Sequence, residues 1–149
     1  MEKLATTGSG QLRGDPAVTV ATGSQLLLAG QDRVSTLSLA GSLASTASGA
    51  GALEVTGAAL LQSGTVDTVL RSATLTSLGA SQIHAPVQVT GQARVGGGSL
   101  TIGAAGGLDS PLLAIDAGTL ATSAAQALAV GTAVQVQAGG GLSIGGDTT

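Results

Sequence analysis

The sequence predicts an all-β fold, a parallel β-helix (β-solenoid) of about eight coils, and three observations predict it. A short motif recurs along the chain: an aliphatic residue, any residue, an aliphatic residue, then Gly within three positions. Gly makes up 25 of 149 residues and charged residues 9%, against about 7% and about 25% in ordinary globular chains. Phe, Tyr and Trp are absent, so the apolar 43% is essentially Ala, Val, Leu and Ile, which fill a core only in thin, repeated layers.

The strands follow from the motif in order. Val18-Thr19-Val20 precedes Gly23, Leu37-Ser38-Leu39 precedes Gly41, Leu53-Glu54-Val55 precedes Gly57, and Val87-Gln88-Val89 precedes Gly91. Leu100-Thr101-Ile102 meets Gly103, Leu113-Ala114-Ile115 precedes Gly118, Val134-Gln135-Val136 precedes Gly139, and Leu142-Ser143-Ile144 meets Gly145. The middle residue is mostly polar, which is the alternation of a strand with one dry and one wet face. Gly supplies the bend that follows. Val18 to Leu37 is 19 residues and Leu53 to Val87 is 34, close to two such steps, while other steps shrink to 13 or 8. Two or three short strands per coil explain the fractions. Eight coils at about 4.8 Å each give a rod about 40 Å long. Pro16, Pro86 and Pro111 fall at motif edges, where a missing donor is tolerated. Residues 1–16 read as an N-terminal edge and loop, and 17–149 as the solenoid repeat segment. Two rivals use the same residues: an Ala-rich helix over 119–130, and a β-sandwich, whose core needs bulkier side chains.

Composition excludes whole classes of function. With no Cys and a single His, the chain offers no Cys/His zinc site, iron–sulfur cluster, disulfide scaffold or thiol nucleophile. Without aromatic rings there is no platform for bases or sugars, and the net charge of −3 opposes a phosphate backbone, so nucleic acid is not an expected partner. No apolar run approaches the ~20 residues of a membrane span, and Met1–Thr7 lacks the apolar stretch of a signal peptide. An internal segment of a longer chain is the expectation.

Gly51-Ala52-Leu53-Glu54-Val55-Thr56-Gly57 and Val134-Gln135-Val136-Gln137-Ala138-Gly139-Gly140-Gly141-Leu142-Ser143-Ile144-Gly145 resemble the repeats of filamentous haemagglutinin-like proteins. These are large secreted adhesins and contact-dependent toxins of two-partner secretion systems. The resemblance covers roughly residues 17 to 146, with spacing less even than the family's. It implies a right-handed parallel β-helix shaft, exported through an outer-membrane pore and displayed on or shed from the bacterial surface as part of a longer virulence-associated chain.

Arg13-Gly14-Asp15 is the sharpest short motif. In an exposed loop its carboxylate completes the oxygen shell of a receptor-bound divalent cation and its guanidinium pairs with receptor carboxylates, so an integrin or other host surface receptor is the candidate partner. The plain alternative is a solvated turn. His84 is the sole candidate base, with Ser81 as nucleophile and Asp67 or Asp109 as orienter, but a nucleophile elbow is missing and a solvent-facing His is the better reading. Asp109 and Asp116 flank one motif as a glycosidase pair would, yet no sugar-stacking ring accompanies them; the acidic residues read as isolated solvated charges. Gly96-Gly97-Gly98-Ser99 and Gly139-Gly140-Gly141 lack the Lys of a phosphate loop, Gly145-Gly146-Asp147 is a single copy of a calcium-repeat pattern, and Thr74-Leu75-Thr76 is one rung of an ice-binding ladder.

The expectation is therefore a structural shaft segment of a secreted, surface-displayed adhesin, not an enzyme and without cofactor or metal. It would contact flanking repeats or itself end to end, with receptor binding at Arg13, Gly14 and Asp15 as a secondary expectation. The rival is a self-assembling filament of cytoskeletal type.

Overall fold

The computed structural model describes residues 3–5, 17–45, 51–103, 107–122 and 133–144. These form seventeen strands and no helix, and every strand pair is parallel. The chain is a β-solenoid with three sides.

The first face stacks β1 (Lys3–Ala5), β3 (Gln25–Leu28), β6 (Ser42–Ser45), β8 (Thr65–Asp67), β10 (Ala80–Ile83), β12 (Ser99–Ile102), β15 (Gly118–Thr122) and β17 (Gly140–Ile144) in that order. A second sheet wraps the other two sides. Its long strands β7 (Ala52–Gln62), β9 (Val69–Leu78) and β11 (Pro86–Val95) turn a corner, marked by register shifts between Val55 and Ala58 and between Val89 and Gln92. Their first halves, with β4 (Gln31–Val34) and β13 (Gly107–Asp109), make the second face. Their second halves, with β2 (Ala17–Val20), β5 (Thr36–Leu39), β14 (Leu112–Ile115) and β16 (Ala133–Val136), make the third.

Register fixes the repeat. On the first face Lys3, Gln25, Ser42, Thr65, Gln82, Thr101, Ala121 and Ser143 stack in one column. The steps run from 17 (Gln25 to Ser42) to 23 (Ser42 to Thr65) and average about 20, close to the expected 19. From Gln25 to Ser143 the chain completes about six turns, fewer than the eight coils expected. The eight motifs lie on different sides: Leu100–Ile102 and Leu142–Ile144 on the first face, Leu53–Val55 and Val87–Val89 on the second, the rest on the third. Counting motifs therefore overcounts turns.

Inward columns make the core. Leu26, Leu43, Val66, Ile83 and Ile102 run beneath the first face, Leu53, Leu70, Val87 and Leu108 beneath the second, and Leu37, Ala59, Leu75, Ala93 and Leu113 beneath the third, all buried. Like stacks on like, so no large filler is needed. Ser72 and Ser110, buried where the second face bends into the third, donate their hydroxyls to the carbonyls of Thr74 (2.5 Å) and Leu112 (2.7 Å). Pro86 opens β11 and Pro111 immediately precedes β14, both at strand starts as expected. The Ala-rich helix fails at Gly118–Thr122, where pairing with β12 makes a strand; residues 123–130 lie outside the described residues.

The corner from the third face to the first carries one left-handed residue on most turns: Gly23, Ser63, Gly79, Gly98, Gly118 and Gly139, with φ between 64° and 93°. Ser63 is the exception to glycine, and its Oγ accepts a hydrogen bond from the Ala80 N–H at 3.2 Å.

Candidate functional site

The outward side chains carry whatever chemistry this rod has. His84 and Asp67 are neighbours on adjacent turns of the first face: His84 Nδ1 lies 2.8 Å from Asp67 Oδ1, and both are more than a third exposed. Of the two possible orienters, Asp67 is the one beside His84, which is itself solvent-facing. Ser81 does not join them. Alternation turns it inward, where it is buried and its Oγ accepts a hydrogen bond from the Gly64 N–H at 3.3 Å. A hydroxyl in the core and an imidazole in solvent cannot exchange a proton, so no catalytic triad forms. Asp109 stands on the second face, beside Gln88 of the turn before.

Nor do Asp109 and Asp116 form a pair. Asp116 follows β14 at the end of the third face and is ion-paired with Arg94 Nε, an outward residue of the preceding turn. Among the described residues, no group of three His, Asp or Glu side chains is placed to hold a metal ion. Thr74 and Thr76 do point outward, but their column neighbours are Ala58 and Gln92, and Leu60 and Arg94, so there is no threonine ladder.

The register discloses a feature invisible along the chain. Arg33, Glu54, Arg71, Gln88 and Asp109 stand in one outward column of the second face, opposite charges alternating over its first three turns. Neighbours in such a column are about 4.8 Å apart, so Glu54 sits between two cations, Arg33 and Arg71. These residues are 21, 17, 17 and 21 apart in sequence, which no local motif would reveal. Beside the column, a shallow hollow of about 360 Å³ is lined by Glu54, Thr56, Arg71, Ser72 and Thr90. A second hollow, about 320 Å³, lies along the glycine corner at Gly23, Gln25, Gly41, Ser63 and Thr65. Neither brings two carboxylates together.

One acidic residue departs from the expectation of solvated charge. Asp32 points inward on β4 and is 4% exposed, at the head of the Leu53–Leu70–Val87–Leu108 column. Arg13, Gly14 and Asp15 lie outside the described residues, as do Gly145, Gly146 and Asp147.

The last turn differs from those before it. Val134, Val136 and Leu142 end inward columns, yet they are 37%, 48% and 36% exposed. With Leu78 they are the large hydrophobics exposed among the described residues. No family model, curated protein or solved structure matches the chain.

Proposed function

We propose that this chain is a structural shaft segment of a secreted, surface-displayed bacterial adhesin, supporting attachment to a host or to other cells. The observation that carries the reading is the continuous stack: about six turns, hydrogen-bonded to their neighbours on three sides around a largely aliphatic core. Every turn locks the next, and stiffness follows from the repetition rather than from any one contact. Outward residues are small and mostly uncharged, which suits a spacer whose work is to hold other parts at a distance. The likeness of residues 51–57 and 134–145 to filamentous haemagglutinin repeats supports the same assignment. Adhesion through Arg13, Gly14 and Asp15 is its secondary element.

Surface labelling of intact source cells tests the shaft. An antibody to the segment should bind before lysis, and cleavage by added protease should remove that signal. Labelling that requires lysis overturns the display reading. Binding to integrin-bearing cells, compared with Asp15→Glu, tests the adhesive motif, because the longer side chain misplaces the cation-binding oxygen while keeping the charge. Equal binding by both forms overturns it. The exposed apolar residues of the last turn favour a second reading, a filament of cytoskeletal type, and labelling only after lysis would support it.

A further inference from the structure

The corner where the second face bends into the third is not the same length on every turn. Between Val55 and Ala58, β7 passes through two residues, Thr56 and Gly57, and β11 passes through Thr90 and Gly91 between Val89 and Gln92. β9, stacked between them, has Ala73 alone between Ser72 and Thr74. The next turns out are short as well. Two residues separate Val34 from Leu37 where three separate Val55 from Ala59, and two separate Asp109 from Leu112 where three separate Gln88 from Gln92. Among the described residues, Ala73 is therefore the short corner that has a long corner on each side. An extra residue makes a strand bulge, and bulges border sites because they re-aim a side chain.

The consequence is a notch. Thr56 and Thr90 stand on its two walls, about 10 Å apart at the backbone, with Ala73 as the floor between them. This is the hollow of about 360 Å³ beside the charged column, large enough for a small molecule, and Glu54 and Arg71 complete its rim. Its two sides differ in hydrogen-bonding sense. Thr56 donates its hydroxyl to the Val34 carbonyl at 3.4 Å, so its Oγ1 has only lone pairs left, and the Glu54 carboxylate on the same strand adds more acceptors. Arg71 on β9 brings donors alone, and the Thr90 hydroxyl on β11 makes no hydrogen bond among the described residues. Arg94 and Asp116, also on adjacent turns, are ion-paired, whereas Glu54 and Arg71 make no ion pair among the described residues.

We propose that the notch binds a small α-amino acid as its zwitterion. The ammonium lies on the acceptor side, against Glu54 and Thr56 Oγ1, and the carboxylate lies against Arg71 and the Thr90 hydroxyl. One carbon separates the two charged groups of the ligand, and one turn, about 4.8 Å, separates Glu54 from Arg71. An ammonium brings donors alone and a carboxylate acceptors alone, so the reversed orientation puts like against like. A simple anion would meet Glu54 and a simple cation would meet Arg71, so the ligand needs both charges. Ala73 and the two threonines leave room for a small side chain and offer no ring for a large one to stack on. The notch lies on the middle turns and does not depend on where the rod is displayed, so it stands or falls apart from the shaft reading.

NMR titration of the full chain with L-serine at low salt is the test. Amide shifts should gather at Glu54–Thr56, Arg71–Ala73 and Thr90, with a dissociation constant of about 1 mM. N-acetyl-L-serine lacks the ammonium and L-serinamide lacks the carboxylate, and each should bind at least about tenfold more weakly. No saturable shift up to about 50 mM L-serine overturns the proposal, and so does equal binding by either control. Glu54→Gln and Arg71→Gln, both on the wet side of the second face, should each weaken L-serine binding about tenfold. Ala73→Val raises the floor and leaves every charge in place, so it should weaken binding as well. Unchanged binding there would mean that the charged column alone attracts the ligand, and the notch would be ruled out. Should Ala73→Val disturb the fold, Thr90→Val decides instead: it keeps the shape and removes the donor hydroxyl, and a titration identical to wild type sinks the idea.

Discussion

Val95 and Val136 are the same residue in the same column two turns apart, yet one is 0% exposed and the other 48%. Gly118 and Gly139 are both left-handed at the same corner one turn apart, but register pairs Gly118 with Gly140, so Gly139 stands one residue off that column. A β-carbon on Gly118 would collide with the carbonyl oxygen of Gly98 below, whereas one on Gly139 would meet nothing within 4 Å. Neither contrast is written in the local sequence. In a solenoid a residue's contribution depends on what is stacked against it: Val136 has no described strand beyond it, and Gly139 lies one residue off the column of the glycine below.

The largest test of that contrast is the glycine pair. Gly118→Ala combines a φ of 80° with the collision and should cost about 3 kcal/mol or more, enough to threaten folding. Gly139→Ala has a φ of 93° and open space, so strain alone remains, about 1–2 kcal/mol. Urea unfolding of both variants measures the gap. Equal losses would mean that the turn below Gly118 shifts to relieve the collision.

Next comes the valine pair. Val95→Ala empties part of a closed column between Ser77 and Ile115 and should cost about 2–3 kcal/mol. Val136→Ala, half-exposed in the monomer, should change stability by less than about 0.5 kcal/mol. A large cost at Val136 would mean that the last turn is packed as tightly as the turn two earlier.

The alternation and the glycines make the fold readable in the sequence, because a dry interior and a tight bend each constrain residue type directly. The number of turns is less readable, since Leu53–Val55 and Leu37–Leu39 obey one pattern on different sides of the coil. The bend inside β7 and β11 leaves no breaker in the chain beyond Gly57 and Gly91, so strands of 11 and 10 residues read as half their length. Among the site residues, His84 and Asp67 are legible singly but not as a pair, since Asp109 reads as an equal partner until the register puts Asp67 on the adjacent turn. Ser81 misleads, since the three-residue spacing to His84 reads as proximity only until alternation assigns them opposite sides. The column of Arg33, Glu54 and Arg71 depends wholly on register, which short-range pattern does not carry.

Ser77 marks a flaw in the interior. It stands between Leu61 and Val95, 0% exposed, and its Oγ has no hydrogen-bond partner. A buried hydroxyl left unsatisfied costs about 1–3 kcal/mol. Ser77→Ala should therefore stabilise the chain by about 1 kcal/mol and raise Tm by about 2–4 °C, read by thermal unfolding. A fall in Tm would show that the hydroxyl is satisfied in solution, by water if by nothing else. The gain belongs to the closed turns, where the aliphatic columns on either side of Ser77 leave no route for solvent.

The smallest effect concerns charge. Glu54 stands between Arg33 and Arg71 on the wet side of the second face, whereas the last turn carries no charge at all. Glu54→Lys places three cations in succession about 4.8 Å apart and should cost about 0.5–1 kcal/mol at low salt. Surface charges are screened within about 10 Å at 0.1 M salt, so the penalty should shrink as salt rises while the Val95→Ala penalty stays. A loss at Glu54 that ignores salt would point to lost packing of the side-chain stem instead.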